Sequence, residues 1–118
     1  MNLNVMQEQV KQFCEARDWD QFHNPKDLAI GLSTESNELL DLFRFKTEEQ
    51  MSTMMSNLDT REKISDELAD VFFFLLRFSQ MYHFDLGKAL ENKLNKNNAK
   101  YPIDLVKGDN KKYTEYEK

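Results

Sequence analysis

The sequence predicts an all-α protein on three observations. Gly 3 and Pro 2 in 118 residues supply too few breakers for the turns of a hairpin-rich β fold. Long stretches repeat apolar residues at steps of three and four. A content of 40% hydrophobic and 31% charged residues suits one packed core with solvated outer faces, so a single domain is expected over residues 1–118.

The first helix is expected over residues 3–17, where Leu3, Met6, Val10, Phe13 and Cys14 share a face. Residues 17–27 (RDWDQFHNPKD) lack periodicity and form a loop, which ends in Asn24-Pro25, a helix N-cap followed by proline at the first helical position. The second helix, from 25 to about 43, carries the inward stripe Leu28, Leu32, Glu35, Leu39 and Leu42, so a carboxylate sits in the middle of an apolar face. Residues 44–60 mix Met51, Met54, Met55 and Leu58 with Ser, Thr and Asn, and read as a connection holding a helical turn or two.

Residues 60–83 give the strongest helical pattern, with Thr60 as the cap and Ile64, Leu68, Val71, Leu75, Phe78 and Tyr82 on one face. Its middle, VFFFLL at 71–76, is apolar on every side. Such a helix must be covered all round, more than three partner helices of one short chain provide, so a helical-bundle homodimer or homotetramer is expected. His83 reads as a cap or surface group. Asp85 caps a last helix carrying Leu86, Leu90 and Leu94, which ends near Tyr101-Pro102. Residues 103–118 have no core periodicity and form a C-terminal tail, in which Lys111 and Lys112 could close over phosphates.

A net charge of −5 argues against a nucleic-acid polymer as partner, because the phosphate attraction that such binding needs has the wrong sign. A small phosphate ligand would need cations between it and the acidic side chains. Cys14 is the single cysteine, which excludes an intramolecular disulfide and fits a reducing compartment. No apolar run approaches the ~18 residues of a membrane span, and residues 1–13 lack the basic flank and apolar stretch of a leader. A cytoplasmic protein without membrane contact is expected.

The informative feature is a pair of acidic sets, Glu35-x-x-Glu38 on the second helix and Glu67-x-x-Asp70 on the third. Residues three apart on a helix reach the same region of space. Glu67 and Asp70 fall on the side of Phe74 and Met81, flanking the apolar stripe. If the two helices pack antiparallel, the four carboxylates converge. One such pair in a chain with 21 acidic residues is an ordinary solvated face; two pairs flanking the core stripes of consecutive long helices suggest a metal site. Buried like charges demand either raised pKa values or hard cations, and an oxygen-only set without histidine suits Mg²⁺ or Mn²⁺ rather than zinc.

The stretches RDWDQFHNPKDLAIGLSTESNELLDLFRFK, DELADVFFFLL, KLNKNNAKYP and KKYTE resemble the MazG-like all-α nucleoside triphosphate pyrophosphohydrolases, specifically the dCTP pyrophosphatase branch. The resemblance runs from about Phe13 to Glu115. It implies a four-helix-bundle-type fold assembled as a homo-oligomer, and a Mg²⁺-dependent hydrolysis of a (deoxy)nucleoside triphosphate to monophosphate and pyrophosphate. On that resemblance Glu35, Glu38, Glu67 and Asp70 match the metal ligands, and Trp19, Asp20, Gln21, Phe22 and His23 match a nucleotide-contacting segment. Lys93 and Asn97 match positions that reach phosphate and sugar or base.

The residue types suit that chemistry. Glu38 is a candidate to accept the proton of an attacking water, and Lys93 to stabilise charge on the leaving pyrophosphate. Trp19 or Phe22 offers a π-face to a base. Phe45 stands where the eukaryotic dCTP enzymes carry a base-contacting Trp and Phe74 where they carry a Tyr, and Val10 replaces a His found at the corresponding family position. Stacking survives the first two changes, whereas a lost hydroxyl weakens base discrimination. A dUTP-directed or broad pyrophosphohydrolase, or a non-catalytic nucleotide-binding oligomer, stands as the alternative.

Overall fold

The structure, a computed structural model, describes residues 1–109. Every regular element among the described residues is helical: α1 (Leu3–Ala16), a 3₁₀ turn (Asp20–Phe22), α2 (Pro25–Phe43), α3 (Glu48–Ser56), α4 (Leu58–Tyr82), α5 (Leu86–Lys100) and α6 (Ile103–Val106). The all-α expectation holds. The chain forms two compact units, Met1–His83 and a second that starts at Phe84.

In the first unit α4 is the common partner on which α1, α2 and α3 pack. Its buried centre contains Cys14 of α1, Leu28 of α2, and Ile64 and Leu76 of α4. Local chemistry sets the helix starts. Asn2 accepts from the Val5 N–H at 2.9 Å, and Asn24 from the Asp27 N–H at 2.8 Å with Pro25 next in the chain, satisfying amides that have no partner inside the helix. α1 stops where Asp18 takes a left-handed conformation, φ 56°, and α4 stops at His83, exposed and left-handed at φ 60°. Gln7 of α1 donates its side-chain amide to Ser79 Oγ of α4 at 2.7 Å, and Ser79 passes its own hydrogen to the Leu76 carbonyl at 3.0 Å.

Two boundaries differ from expectation. The stretch read as a connection with a turn or two contains the nine-residue helix α3. It is started by a capping box: the Gln50 N–H donates to Thr47 Oγ1 at 3.1 Å and the Thr47 N–H to Gln50 Oε1 at 2.9 Å. α4 begins at Leu58, and its cap is Asn57, whose side chain accepts from the N–H groups of Asp59 at 2.9 Å and Thr60 at 3.1 Å. Thr60 turns back instead, donating its hydroxyl to the carbonyls of Met54 and Asn57, which ties the end of α3 to the start of α4.

In the second unit Asp85 caps α5 as expected, accepting from the Lys88 N–H at 2.9 Å, and the helix gives way at Tyr101 before Pro102. The expected tail contains the short helix α6. Lys111 and Lys112 lie outside the described residues. No helix among the described residues is long and apolar enough to cross a membrane.

Candidate active site

Along α2 from Gly31 to Glu35 the facing residue on α4 moves back from Phe74 to Asp70 and Glu67, so the two helices run antiparallel. The condition for convergence is met. One carboxylate oxygen from each of Glu35, Glu38, Glu67 and Asp70 lies within 4.8 Å of the others. Glu35 and Glu67 are half-buried, whereas Glu38 and Asp70 are exposed.

Like charge at this range is expensive, and the carboxyl groups respond. Burial, then a hydrogen bond and repulsion from Glu38, then the charges of Asp70 and Glu67, push Glu35 up to about 7. Burial, followed by the charges of Glu38 and Asp70, also raises Glu67. Glu35 Oε2 and Glu67 Oε2 are buried with no hydrogen-bond partner. Two buried oxygens without a partner, on residues of a hard, all-oxygen cluster, suit a divalent cation, so these residues fit Mg²⁺ or Mn²⁺.

One turn below the cluster, Phe74 lies against Gly31. Its ring continues a chain of edge-to-face contacts: Phe74 with Phe73 at 5.4 Å, Phe73 with Phe13 at 5.9 Å, and Phe13 with Trp19 at 5.5 Å. Trp19 in turn meets His23 at 6.2 Å. The segment 19–23 therefore joins the same aromatic layer as Phe74. Phe22 and Gln21 are exposed, with Gln21 donating to Asp18 Oδ2 at 2.8 Å. Val10 is half-buried beside Phe13, Phe72 and Phe73 in an apolar groove.

Asp20 and His23 bond inward to Arg77 of α4, a guanidinium only 1% exposed. Its Nε–H donates to His23 Nδ1 at 2.9 Å, its Nη1 to Gln80 Oε1 at 2.7 Å, and its Nη2 to the Asp20 carboxylate. Phe45 is 90% exposed, left-handed at φ 67°, with the Arg44 guanidinium 4.7 Å over its ring. Lys93, exposed, and Asn97, half-buried, belong to α5 in the second unit.

Sequence reasoning missed Arg77 and Gly31. A lone cation directly after the apolar run 71–76 and a glycine in mid-helix, where it costs about 1 kcal/mol against alanine, were the signals.

Residues 30–116 match the sequence model of the MazG-like family, a span that includes all four carboxylates. The chain belongs to the MazG-like family. Its curated relatives include dCTP pyrophosphatase 1 of Rattus norvegicus and of Homo sapiens, each 34% identical over 104 residues, covering 88% of this chain and 61% of the relative. The chain thus spans about 61% of the length of those relatives. A crystal structure of a pyrophosphatase from Archaeoglobus fulgidus matches with a TM-score of 0.77 at 27% identity, covering 84% of this chain and 91% of that one.

Proposed function

We propose that this chain hydrolyses a (deoxy)nucleoside triphosphate, dCTP or a modified dCTP foremost, to the monophosphate and pyrophosphate. The observation that carries the reading is the convergence of Glu35, Glu38, Glu67 and Asp70, two of them with buried oxygens lacking a hydrogen bond, in a chain of the MazG-like family. Its similarity to dCTP pyrophosphatase 1 and to the archaeal pyrophosphatase supports the reaction class.

The four carboxylates would hold Mg²⁺ or Mn²⁺, which supplies positive charge for the triphosphate and acidifies a water for attack at the α-phosphorus. Glu38, the more exposed glutamate of its pair, would accept the proton of an attacking water. Trp19, Phe22, Phe45 and Phe74 offer rings to the base, and Asp20, Gln21 and His23 belong to the same nucleotide-contacting segment. Family resemblance alone assigns Lys93 to the leaving pyrophosphate and Asn97 to the sugar or base. A homodimer or homotetramer belongs to the proposal, supported by Leu68, Phe72 and Leu75, which are exposed on one face of α4.

Ion-exchange analysis of products from each common NTP and dNTP and from 5-methyl-dCTP, with Mg²⁺ and with EDTA, tests the reading. Monophosphate plus pyrophosphate from dCTP, abolished by EDTA, is expected. Turnover spread over several bases would retain the reaction and discard the preference, an outcome that Phe45 and Phe74 make reasonable. No turnover of any triphosphate would overturn it in favour of a non-catalytic binding protein.

A further inference from the structure

Arg77 is nearly sealed from solvent, and a buried guanidinium is tolerated only when its N–H groups are partnered. Two of its three partners, Asp20 and His23, come from the segment assigned above to the nucleotide. The choice of His23 Nδ1 as acceptor has a chemical consequence. An imidazole nitrogen that accepts from Nε–H carries no proton, so a neutral ring must hold its proton on Nε2.

We propose that Arg77 is a positioning residue of this site: it pins residues 19–23 to α4 and fixes His23 as the neutral Nε2–H tautomer, a donor matched to an uncharged acceptor on the base or sugar. The inference rests on the functional reading above. Burial and the Arg77 charge both hold His23 below its ordinary value, with Asp20 opposing them, in keeping with a neutral ring. Trp19 meets the imidazole edge-on, which restrains the ring from a second side. A charged imidazolium would suit phosphate; a neutral N–H suits a carbonyl, hydroxyl or ring nitrogen, so His23 reads the nucleoside end of the substrate. Among the described residues no hydrogen bond occupies its Nε2.

Long-range proton–nitrogen correlation spectra of ¹⁵N-labelled protein read the tautomer directly, with exposed His83 as the internal control and His83→Asn as the assignment variant. His23 is expected as Nε2–H, with Nδ1 unprotonated. In Arg77→Lys, which keeps the charge but cannot reach both partners, KM for the best triphosphate should rise about tenfold with kcat within about twofold. A purely structural Arg77 would lower the melting temperature and leave KM alone. Arg77→Met is the harsher variant and should also mix the tautomers.

Turnover by a wild-type protein whose His23 carries Nδ1–H, or an unchanged KM in a folded Arg77→Lys protein, overturns the role of Arg77 and leaves the reaction standing. Absent turnover with an Nε2–H spectrum overturns the reaction, and the positioning role with it, while the local geometry stands.

Discussion

Gly31 of α2 lies so close beneath the Phe74 ring of α4 that a β-carbon added to it would meet Phe74 Cε1 at 2.3 Å. The ring also meets Phe73 in a T-shaped contact at 5.4 Å. The absence of a side chain at 31 therefore fixes where the aromatic layer stands, one turn from the carboxylates.

Gly31→Ala tests this contact. Helix propensity alone would reward the change by about 1 kcal/mol, while forcing a methyl into a packed ring costs about 1–3 kcal/mol. The expected net is a loss of about 1 kcal/mol in urea unfolding, largely relieved when Phe74→Leu is made as well, because the two residues couple directly. A more stable Gly31→Ala protein would show that the ring is not confined.

Glu35→Gln removes the charge most strongly displaced in the cluster. In EDTA at pH 8, above the value of about 7 for Glu35, the variant should melt higher than the wild type, since repulsion among the four carboxylates falls. With Mg²⁺ and dCTP, turnover should drop by about a hundredfold or more, and Asp70→Asn should behave alike. A variant that retains near-normal turnover would remove these carboxylates from the site.

The cation-free protein should become more stable as pH falls through the window from about 7 to 4.5, the folded value of Glu35 and its ordinary one. Between those limits the folded chain binds more protons at Glu35 than the unfolded chain does, and Glu67 acts in the same direction, so their contribution to stability declines with rising pH and outweighs the opposite one of His23. Melting curves in EDTA across that window should slope downward. Saturating Mg²⁺ should reverse the slope, because cation and proton compete for the same oxygens, and should raise the melting point at pH 8 through binding linkage. A flat profile under both conditions would contradict the coupling.

Asn57→Ala should cost about 1 kcal/mol, the usual worth of an N-cap, because it strips acceptors from two amides at the start of α4. Urea titration reads the loss. No change would assign the cap elsewhere.

The helices that build the cluster were legible because their signal is periodic. The stripe through Glu35 and the face shared by Glu67, Asp70 and Phe74 follow from a 3.6-residue repeat alone, and the antiparallel packing needed only two long neighbours. α3 was harder, since its Met, Ser and Thr residues have weak amphipathic order, although Thr47 and Gln50 spelled its capping box. Asn57 rather than Thr60 caps α4, because the Thr60 hydroxyl is turned back onto the carbonyls of Met54 and Asn57. Arg77 with Asp20 and His23 could not be read ahead, being bonds across 57 and 54 positions of sequence that depend on how a non-periodic loop folds back.

α1, α2 and α3 all precede α4 in the chain, and each takes its main packing surface from it. A nascent chain leaving the ribosome therefore exposes three helical segments without their partner, and the core of the first unit closes only after the segment through Tyr82 has emerged. Glu35 and Glu38 are made well before Glu67 and Asp70, so the four-carboxylate cluster is born with that closing step. Any truncation ahead of α4 would leave apolar helix faces in search of other cover, with chaperones the first to meet them.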